Sequence, residues 1–248
     1  MAGEWTLLPR PALGAFEQMA LDEVLLDRVG RGERGPSLRF WKWTERALVL
    51  GSHQAVANEV DLAAAAAAGF LIARRMSGGG TMICEPGGTI TYSLYLPEAM
   101  VAGLSFVASF AHLDSWAVAG LCSIGVPAAY RPINDIVSPA GKIGGAAQAR
   151  RRGAVLHHTT IAYDMDPALV PRLIRIGRER MSERGVRSAE KEVSPLRRFT
   201  DLGQEYVEAA LAAQLSTAPG DLLADELTAA RELAAAKYAT PEWLDRIR

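Results

Sequence analysis

The chain is poor in cysteine and has no surplus of charge. Only two cysteines, Cys84 and Cys122, occur among its 248 residues, and they lie far apart in the sequence. That spacing argues against a disulfide framework and against a cysteine-ligated zinc site. The 27 Lys and Arg residues nearly balance the 28 Asp and Glu residues, which leaves a formal net charge of −1. Such a chain has no global attraction for nucleic acid or for an anionic membrane, so neither is expected as a partner.

The chain also lacks a hydrophobic run long enough to span a membrane. Its most apolar segment, residues 99–111, is too short for that purpose, and residues 1–5 lack the basic start of a secretion signal. A cytoplasmic protein is therefore expected. With 49% hydrophobic residues the chain can bury a sizeable core, and it shows no repeat and no convincing domain boundary. We expect one domain over residues 1–248.

Apolar periodicity predicts an α+β protein. Helical spacing predicts helices over residues 14–29, 61–68, 104–124, 202–215 and 221–238. Alternation and short apolar runs predict strands over residues 37–43, 47–50, 70–73, 90–96, 133–137, 142–150 and 154–163. Strands in the middle of the chain are joined by short turns rather than by helices. The predicted fold class is therefore a mixed, largely antiparallel sheet flanked by helices.

The segment over residues 74–80 carries the most chemical information. Arg74 and Arg75 come shortly before three consecutive glycines, Gly78, Gly79 and Gly80. Consecutive glycines cost backbone entropy, and a fold tolerates them where the backbone turns sharply or approaches a ligand. Glycine N–H groups can face an anion, and arginine binds phosphate or carboxylate through two hydrogen bonds. The segment predicts a site for a phosphate-bearing or carboxylate-bearing molecule, with a Gly-rich turn beside a solvated arginine pair as the alternative.

Two further segments supply charged groups. Asn134 and Asp135 offer the oxygen ligands that Mg²⁺ prefers, although an Asn-Asp pair also forms ordinary turns. Lys142 lies between Gly141 and the small residues that begin at Gly144. Glycine in a strand often marks the close approach of a ligand, so this lysine is a candidate cation for an anionic substrate. The alternative is an edge lysine that protects a strand against aggregation.

Two adjacent histidines, His157 and His158, lie on a predicted strand. Adjacent residues of a strand point to opposite faces, so both cannot reach one site, which argues against a two-histidine metal centre. One of them is a candidate pocket residue. The sequence shows no Walker loop, no HExxH motif and no recognisable Ser-His-Asp arrangement, and its glycines do not fit GxGxxG. A dinucleotide-binding domain is therefore disfavoured.

In this order and spacing, the segments over residues 74–80, 134–136, 141–148 and 157–160 resemble the lipoate–protein ligase A family. Residues 38–41, 50–54, 185–188, 193 and 237–243 extend the resemblance over nearly the whole chain. The resemblance implies a core shared with biotin ligases and class II aminoacyl-tRNA synthetases. It implies ATP-dependent activation of lipoate or octanoate to an acyl-AMP, with ATP and Mg²⁺ as cofactors, and transfer to a lysine. That lysine would belong to a lipoyl carrier domain, of a 2-oxoacid dehydrogenase E2 subunit or the glycine cleavage H protein.

The resemblance also implies roles for individual residues. Lys142 would be catalytic, in contact with the acyl carbonyl and the phosphate, and Asp135 would hold Mg²⁺. The residues expected to bind substrate or nucleotide are Arg74, Arg75, Ser77, Gly78, Gly79, Gly80, Asn134, Gly145, Ala146, His158 and Thr160. Both half-reactions mainly need charge neutralisation and alignment, so no enzyme nucleophile is required. Apolar residues around Phe70, Leu71 and Tyr92 are expected to form the slot for an eight-carbon chain, at ~0.8 kcal/mol per buried methylene.

Some positions depart from the family's pattern. Thr159 stands where glycine commonly follows the two histidines, and Cys84 stands where some members carry histidine. Cys84 is also placed to face the pocket, whereas Cys122 is expected to be buried in an apolar helix. The chain stops soon after Trp243, without the small C-terminal domain of longer members. That departure implies a separate small accessory subunit or competence in the transfer step alone.

Three alternatives to the ligase stay open. A cysteine-dependent octanoyltransferase of the same superfamily would carry the acyl group on a thiol just before the Asn-Asp strand, where residues 125–130 contain no cysteine. A biotin ligase usually has a different glycine-rich pattern. A non-catalytic paralogue would bind lipoate or a carrier domain without turnover.

Overall fold

The structure, a computed structural model, describes residues 4–175 and 192–247. Its strands in those ranges are β1 (Trp5–Leu8), β2 (Ala12–Leu13), β3 (Ser37–Phe40), β4 (Lys42–Trp43), β5 (Ala47–Leu50), β6 (Leu71–Arg74), β7 (Met82–Cys84), β8 (Thr89–Pro97), β9 (Ala129–Arg131), β10 (Asp135–Ser138), β11 (Gly141–Arg151), β12 (Ala154–Ala162) and β13 (Thr217–Pro219). Its helices there are α1 (Ala15–Gly30), α2 (Val56–Glu59), α3 (Leu62–Ala67), α4 (Phe106–Ser123), α5 (Leu169–Leu173), α6 (Gln204–Ala212), α7 (Ala224–Leu233) and α8 (Pro241–Leu244). Single 3₁₀ turns lie at Glu98–Val101 and Leu196–Arg198, and a π turn, Ala234–Tyr238, extends α7.

A large sheet of eight strands organises the described residues, in the order β13-β1-β3-β8-β12-β11-β10-β9. Within this sheet, among the described residues, only β1 pairs in parallel, with β13 and with β3. The pairings from β3 through β8, β12, β11 and β10 to β9 are antiparallel. Short hairpins such as the one between β11 and β12 permit this arrangement. The predicted α+β fold with a mixed, largely antiparallel sheet is confirmed.

Helices cover both faces of this sheet. On one face α4 packs against alternate residues of β8, including Tyr92 and Leu94, in one apolar cluster. On the other face α1 packs against Tyr95 of β8 and Leu156 of β12 in a second cluster. The strand thus alternates as expected, but neither face meets solvent. This placement leaves the end of β11 and β12 near Lys142 to form a pocket.

A smaller sheet carries the glycine-rich segment. Strand β5 lies between β6, its parallel neighbour, and β7, its antiparallel neighbour. The chain leaves β6 at Arg74 and enters β7 at Met82. We call the connecting residues 75–81 the glycine loop. Because β6 and β7 flank one strand, the loop must pass across the end of β5.

Helix boundaries follow the capping residues in the sequence. The Asp61 side chain accepts a hydrogen bond from Ala64 N at the start of α3, and Gly69, at φ +71°, follows its end. The Ser105 side chain accepts from Ala108 N at the start of α4. Both predicted helices are therefore confirmed. Residues 185–188, part of the family resemblance, lie outside the described residues.

No helix of the described ranges is long and apolar enough to cross a membrane.

Candidate functional site

A pocket of about 320 Å³ lies between the glycine loop and the large sheet. The glycine loop and β7 form one wall, and β11 and β12 form the other. Val170 of α5 and the nearby Met165, Ile174 and Val193 add apolar lining. The volume is at the lower end of the range for small-molecule sites, which suits a single medium-length chain.

Most residues predicted from the sequence meet in this pocket. Those that line it are Arg75, Gly79, Gly80, Asn134, Lys142, Gly145, Ala146, His158 and Thr160. Strand register explains the meeting, because Gly145 pairs with Thr160 on β12 and with Asp135 on β10. The predicted residues that do not line it are Arg74, Ser77, Gly78 and Asp135.

Lys142 lines the pocket and is paired with Asp135. Its Nζ is 2.8 Å from Asp135 Oδ1. A register shift between Ile136 and Val137 marks a bulge in the β10–β11 pairing, and such bulges re-aim side chains. A Cβ on Gly145 would lie 2.5 Å from the Lys142 Nζ, so the missing side chain makes room for the ammonium group.

The Asp135 carboxylate lies between two cationic side chains, those of Arg131 and Lys142. Its side chain is 2% exposed, and its Oδ2 lies 3.7 Å from the Arg131 guanidinium while Oδ1 faces Lys142. Within residues 4–175 and 192–247, no three His, Cys, Asp or Glu residues gather as a metal-binding group. A carboxylate directed at an ammonium group is a poor fit to a preformed Mg²⁺ site. The assignment of Mg²⁺ to Asp135 therefore stays a prediction.

Arg75 holds the glycine loop in place. Its guanidinium donates hydrogen bonds to the carbonyl oxygens of Gly78 and Gly80, at 2.5 and 2.8 Å, and to Val49 at 2.9 Å. Its Nε donates to the Ser77 Oγ at 2.9 Å. Burial lowers the pKa of Arg75 to about 10, so the group stays charged at neutral pH. The loop carbonyls thus face this buried cation, which still borders the pocket.

Arg74 lies outside the pocket and connects three backbone segments. Its guanidinium donates to the carbonyl oxygens of Gly51 and Gln54 and to that of Leu244 at the end of α8. The Trp243 indole in turn donates to the Arg74 carbonyl. This fully buried arginine fastens α8 to the small sheet, so the geometry gives it a structural task.

A buried Ser-His-Asp chain borders the pocket, which corrects the prediction that no such arrangement exists. The Ser77 Oγ lies 2.6 Å from His158 Nε2, and His158 Nδ1 lies 2.9 Å from Asp22 Oδ2. All three residues are buried. Sequence reasoning missed Asp22, on α1, because no local signal links it to residues far along the chain.

The surroundings of Asp22 and His158 set the protonation states of these two residues. Burial acts to raise the pKa of Asp22, but the His158 hydrogen bond and the Arg39 charge hold it below its usual range. Burial lowers the pKa of His158, although Asp22 opposes that change. The neutral imidazole then donates a hydrogen bond from Nδ1 to Asp22 and accepts one at Nε2 from the Ser77 hydroxyl.

His157 lies on the other face of the sheet, as predicted. Its Nε2 is 2.8 Å from Asp114 Oδ1 on α4, and its Nδ1 is 3.1 Å from the Gln148 amide. Like His158 it is buried against a carboxylate, but it does not border the pocket. The two histidines are therefore alike in burial and in bonding to a carboxylate, and they differ in whether they border the pocket.

The apolar slot differs from the one predicted. Phe70, Leu71 and Tyr92 do not border the pocket, and Tyr92 instead donates a hydrogen bond to Asp114 on the far face. The slot is formed by Met82, Ile83, Ile143, Ala162, Met165, Val170, Ile174 and Val193. Several of these residues lie on short elements whose position follows only from tertiary packing.

Neither cysteine is placed as predicted. Cys84 is fully buried in the cluster against α1, where burial raises its pKa well above the usual range, and it does not reach the pocket. Cys122 is exposed rather than buried, and its Sγ lies 3.3 Å from the Ala128 carbonyl oxygen. These are the two cysteines of the whole sequence, so the pocket contains no thiol.

Comparison with known proteins gives consistent matches. A model of the lipoyl protein ligase A/B catalytic domain matches residues 14–216. Octanoyltransferase LipM of Kyrpidia tusciae is 31% identical, over 96% of this chain and 97% of the relative. Octanoyltransferase LipM of Symbiobacterium thermophilum is 29% identical, over 98% of each. A bi-partite lipoate protein ligase of Thermoplasma acidophilum, solved in work that included its E2 lipoyl domain, has a TM-score of 0.79 at 24% identity and covers 99% of this chain and 98% of its own.

Proposed function

This chain belongs to the lipoyl protein ligase A/B catalytic domain family, and on that premise we propose that it transfers an octanoyl group to the side-chain amine of a lysine on a lipoyl carrier domain. The observation that carries the proposal is the pocket itself. Lys142 lines it together with apolar residues such as Met82 and Ile174. Such a pocket accommodates a carboxyl-derived group with a hydrocarbon tail.

The proposed reaction needs charge stabilisation more than it needs a nucleophile from the enzyme. The carrier amine attacks the acyl carbonyl carbon, a C–N bond forms, and the bond from carbon to the donor's leaving atom breaks. The proton lost by the amine balances the one gained by the leaving group. The Lys142 ammonium, held 2.8 Å from Asp135, is positioned to donate a hydrogen bond to the carbonyl oxygen as negative charge develops there.

The similarity to octanoyltransferases favours transfer from an acyl donor that is already activated, such as an octanoyl thioester of an acyl carrier protein. Both full-length relatives compared above are octanoyltransferases. Their identity of about 30% over nearly the whole chain supports the same acyl chemistry here.

A second candidate is the ligase reaction, in which ATP first converts octanoate or lipoate to an acyl-AMP. The observation that favours it is the placement of the cysteines. A thiol acyl-enzyme requires a cysteine at the pocket, and Cys84 and Cys122 both lie away from it. ATP would supply the leaving group in this version, and Lys142 and the pocket would serve the same purposes. The expected compartment for either reaction is the cytoplasm.

One experiment separates the two candidates. The purified chain is incubated with a lipoyl carrier domain and either an octanoyl thioester of acyl carrier protein, or octanoate with ATP and Mg²⁺. Intact-mass spectrometry then records the gain of one octanoyl group by the carrier. A gain with the thioester alone supports the transferase, and a gain that needs ATP supports the ligase. No gain under either condition, also with lipoate in place of octanoate, contradicts the proposed function.

The partners of this reaction are part of the proposal. Carrier domains of E2 subunits and the glycine cleavage H protein present the acceptor lysine. Because the Thermoplasma neighbour is a bi-partite ligase, the ATP-dependent arm is repeated with a small accessory subunit added.

Lys142→Ala is expected to lower the transfer rate by at least ~100-fold, because the developing oxyanion loses its cation. The fold should remain intact, since Lys142 lies at the pocket rather than in the core. Carrier acylation and thermal unfolding are measured together. Lys42→Ala, at an exposed lysine, is the control. Rapid transfer by Lys142→Ala would contradict the assignment.

The variant Cys84→Ser with Cys122→Ser tests the thiol directly. Because both thiols lie outside the pocket, we expect full activity in the double variant. Intact mass of the enzyme after exposure to the octanoyl thioester should also show no acyl adduct. Loss of activity without loss of stability would point to a thiol route.

A further inference from the structure

We propose that His158 is a positioning residue that holds the glycine loop against the acyl pocket through Ser77 and Arg75. The inference rests on the proposed function in one respect, since the ligand of the loop is the acyl donor of that reaction. The sequence resemblance placed His158 among the binding residues. The structure assigns it a different task, because both of its ring nitrogens face other protein groups.

The contacts form one continuous chain from α1 to the loop. Asp22 Oδ2 faces His158 Nδ1 at 2.9 Å, and His158 Nε2 faces the Ser77 Oγ at 2.6 Å. The same Ser77 oxygen accepts the Arg75 Nε hydrogen bond at 2.9 Å. Arg75 then binds the carbonyl oxygens of Gly78 and Gly80. Every step lies within hydrogen-bond distance, so a change at the imidazole is transmitted to loop backbone.

Backbone hydrogen bonds hold the start of the loop, from Ser52 N to the Ser77 carbonyl oxygen at 2.8 Å and from Arg75 N to that of Leu50 at 2.9 Å. The glycine carbonyl oxygens that follow accept from the Arg75 side chain, which the imidazole reaches through Ser77. Gly79 has φ +88°, and a glycine in that region is free to adopt other conformations. Gly79 and Gly80 border the pocket, as does the Arg75 side chain itself. A loop of small residues needs such anchoring to present one surface to a ligand.

Ser77 is not arranged as an acyl-accepting nucleophile, although its partners resemble those of one. Its side chain is 1% exposed and does not border the pocket. Its oxygen also accepts a hydrogen bond from the Arg75 guanidinium, which draws electron density away from it. These hydrogen bonds therefore have a structural role: Asp22 fixes the tautomer of the His158 imidazole, and the imidazole orients the Ser77 hydroxyl.

The experiment compares His158→Gln with His157→Gln. Both histidines are buried, adjacent on β12 and bonded to a buried carboxylate, but only His158 borders the pocket. Steady-state kinetics give KM for the acyl donor and kcat for each variant. Hydrogen exchange followed by mass spectrometry gives the protection of a peptide over residues 75–83. Thermal unfolding measures the general cost of each change.

We expect His158→Gln to raise KM about tenfold with a smaller change in kcat, the worth of one lost hydrogen bond. The 75–83 peptide should exchange faster in that variant and remain as in the parent protein in His157→Gln. Ser77→Ala, a milder change, should give the same pattern. Combined with His158→Gln it should add little, whereas combined with His157→Gln the effects should add.

Equal KM values and equal loop exchange in the two histidine variants would overturn the proposal. So would independent, additive effects of Ser77→Ala and His158→Gln. The exchange measurement needs no turnover, so it tests the positioning role even if the parent protein acylates no carrier. In that case the proposed function fails while faster loop exchange confined to His158→Gln and Ser77→Ala would still support the anchor.

Discussion

Gly145 shows how much one missing side chain can matter at the residue scale. A Cβ at this position would lie 2.5 Å from Nζ and 2.9 Å from Cε of Lys142. The obstacle is the far end of a flexible side chain, so the lysine would move and the backbone would stay. Space, rather than backbone freedom, is what this glycine provides.

Gly145→Ala is therefore expected to reduce carrier acylation on the order of 100-fold, since displacing a reacting group by about 1 Å has that effect. The free energy of unfolding should change little. Acylation rates and urea unfolding are measured on the same preparations. Gly35→Ala, where no atom lies within 4 Å of the added Cβ, is the control. A parental rate in Gly145→Ala would show that the ammonium position is unimportant.

Arg74 and Arg75 are neighbours in sequence with separate tasks in space. The Arg74 guanidinium serves carbonyl oxygens at residues 51, 54 and 244, whereas Arg75 serves the glycine loop. Burial lowers the pKa of each to about 10. Arg74 ends β6 and Arg75 follows it directly, and successive residues of an extended chain point to opposite sides, so the two guanidinium groups bind different segments.

Arg74→Ala should lower the free energy of unfolding by about 3 kcal/mol, because buried carbonyl oxygens lose a charged donor. Affinity of the folded protein for the acyl ligand should be unchanged, since Arg74 does not border the pocket. Urea unfolding and calorimetry separate the two quantities. Arg231→Ala, at a side chain that is 64% exposed, is the comparison and should cost little. If Arg74→Ala bound the acyl ligand more weakly but kept the parental free energy of unfolding, Arg74 would belong to the ligand site after all.

At the scale of elements, the end of β5 and the glycine loop fit together backbone against backbone. A Cβ on Gly51 would lie 2.1 Å from the Gly79 carbonyl oxygen. Backbone cannot give way as a side chain can. The closest approach in the glycine-rich region is thus between Gly51 and the loop, two segments that are separate in sequence.

Gly51→Ala is expected to push the loop away from β5, with a loss of about 1–3 kcal/mol in stability and a loss of acyl-ligand affinity. Thermal unfolding and ligand calorimetry report the two effects. Gly78→Ala is the matched control, because its added Cβ meets nothing within 4 Å and its φ is not positive. Similar behaviour of the two variants would mean that the loop tolerates displacement.

Long periodic elements could be predicted from the sequence, whereas of the short strands some, such as β5 and β6, were predicted and others were missed. Helix α1 and strands β8, β11 and β12 were predicted within a few residues of their bounds. The missed strands, β1, β2, β7, β9 and β13, have two to four residues, too few to establish a period. Their pairing partners lie far along the chain, as for β1 with β13.

At the scale of the whole molecule, the buried network at His158 couples stability to pH. Burial lowers the pKa of His158 from 6.5, so near that pH the unfolded chain binds more protons than the folded one. The free energy of unfolding then rises with pH, and the contribution of His158 to it is lost as the pH falls below 6.5. The lowered pKa of Asp22 acts in the same direction at lower pH, below 3.8.

Urea unfolding at about pH 8 and about pH 5.5 should therefore show lower stability at the acidic value. The groups that face His158 are Asp22, which favours its protonation, and Arg75 and His157, which oppose it. In His158→Gln the dependence between these two pH values should shrink. An unchanged dependence in that variant would assign the effect to other groups.

The sequence by itself determined the family, the α+β class and nine of the residues that line the pocket. Those features depend on residues that are close together in the sequence, such as glycines beside arginines and two histidines on one strand, so they can be read without the tertiary structure. Tertiary structure alone decided that Asp22 meets His158, that Arg74 turns away from the pocket and that the apolar slot excludes Tyr92. The reason is physical, because a side chain's partner depends on which distant segment packs beside it, and one-dimensional spacing does not encode that neighbour.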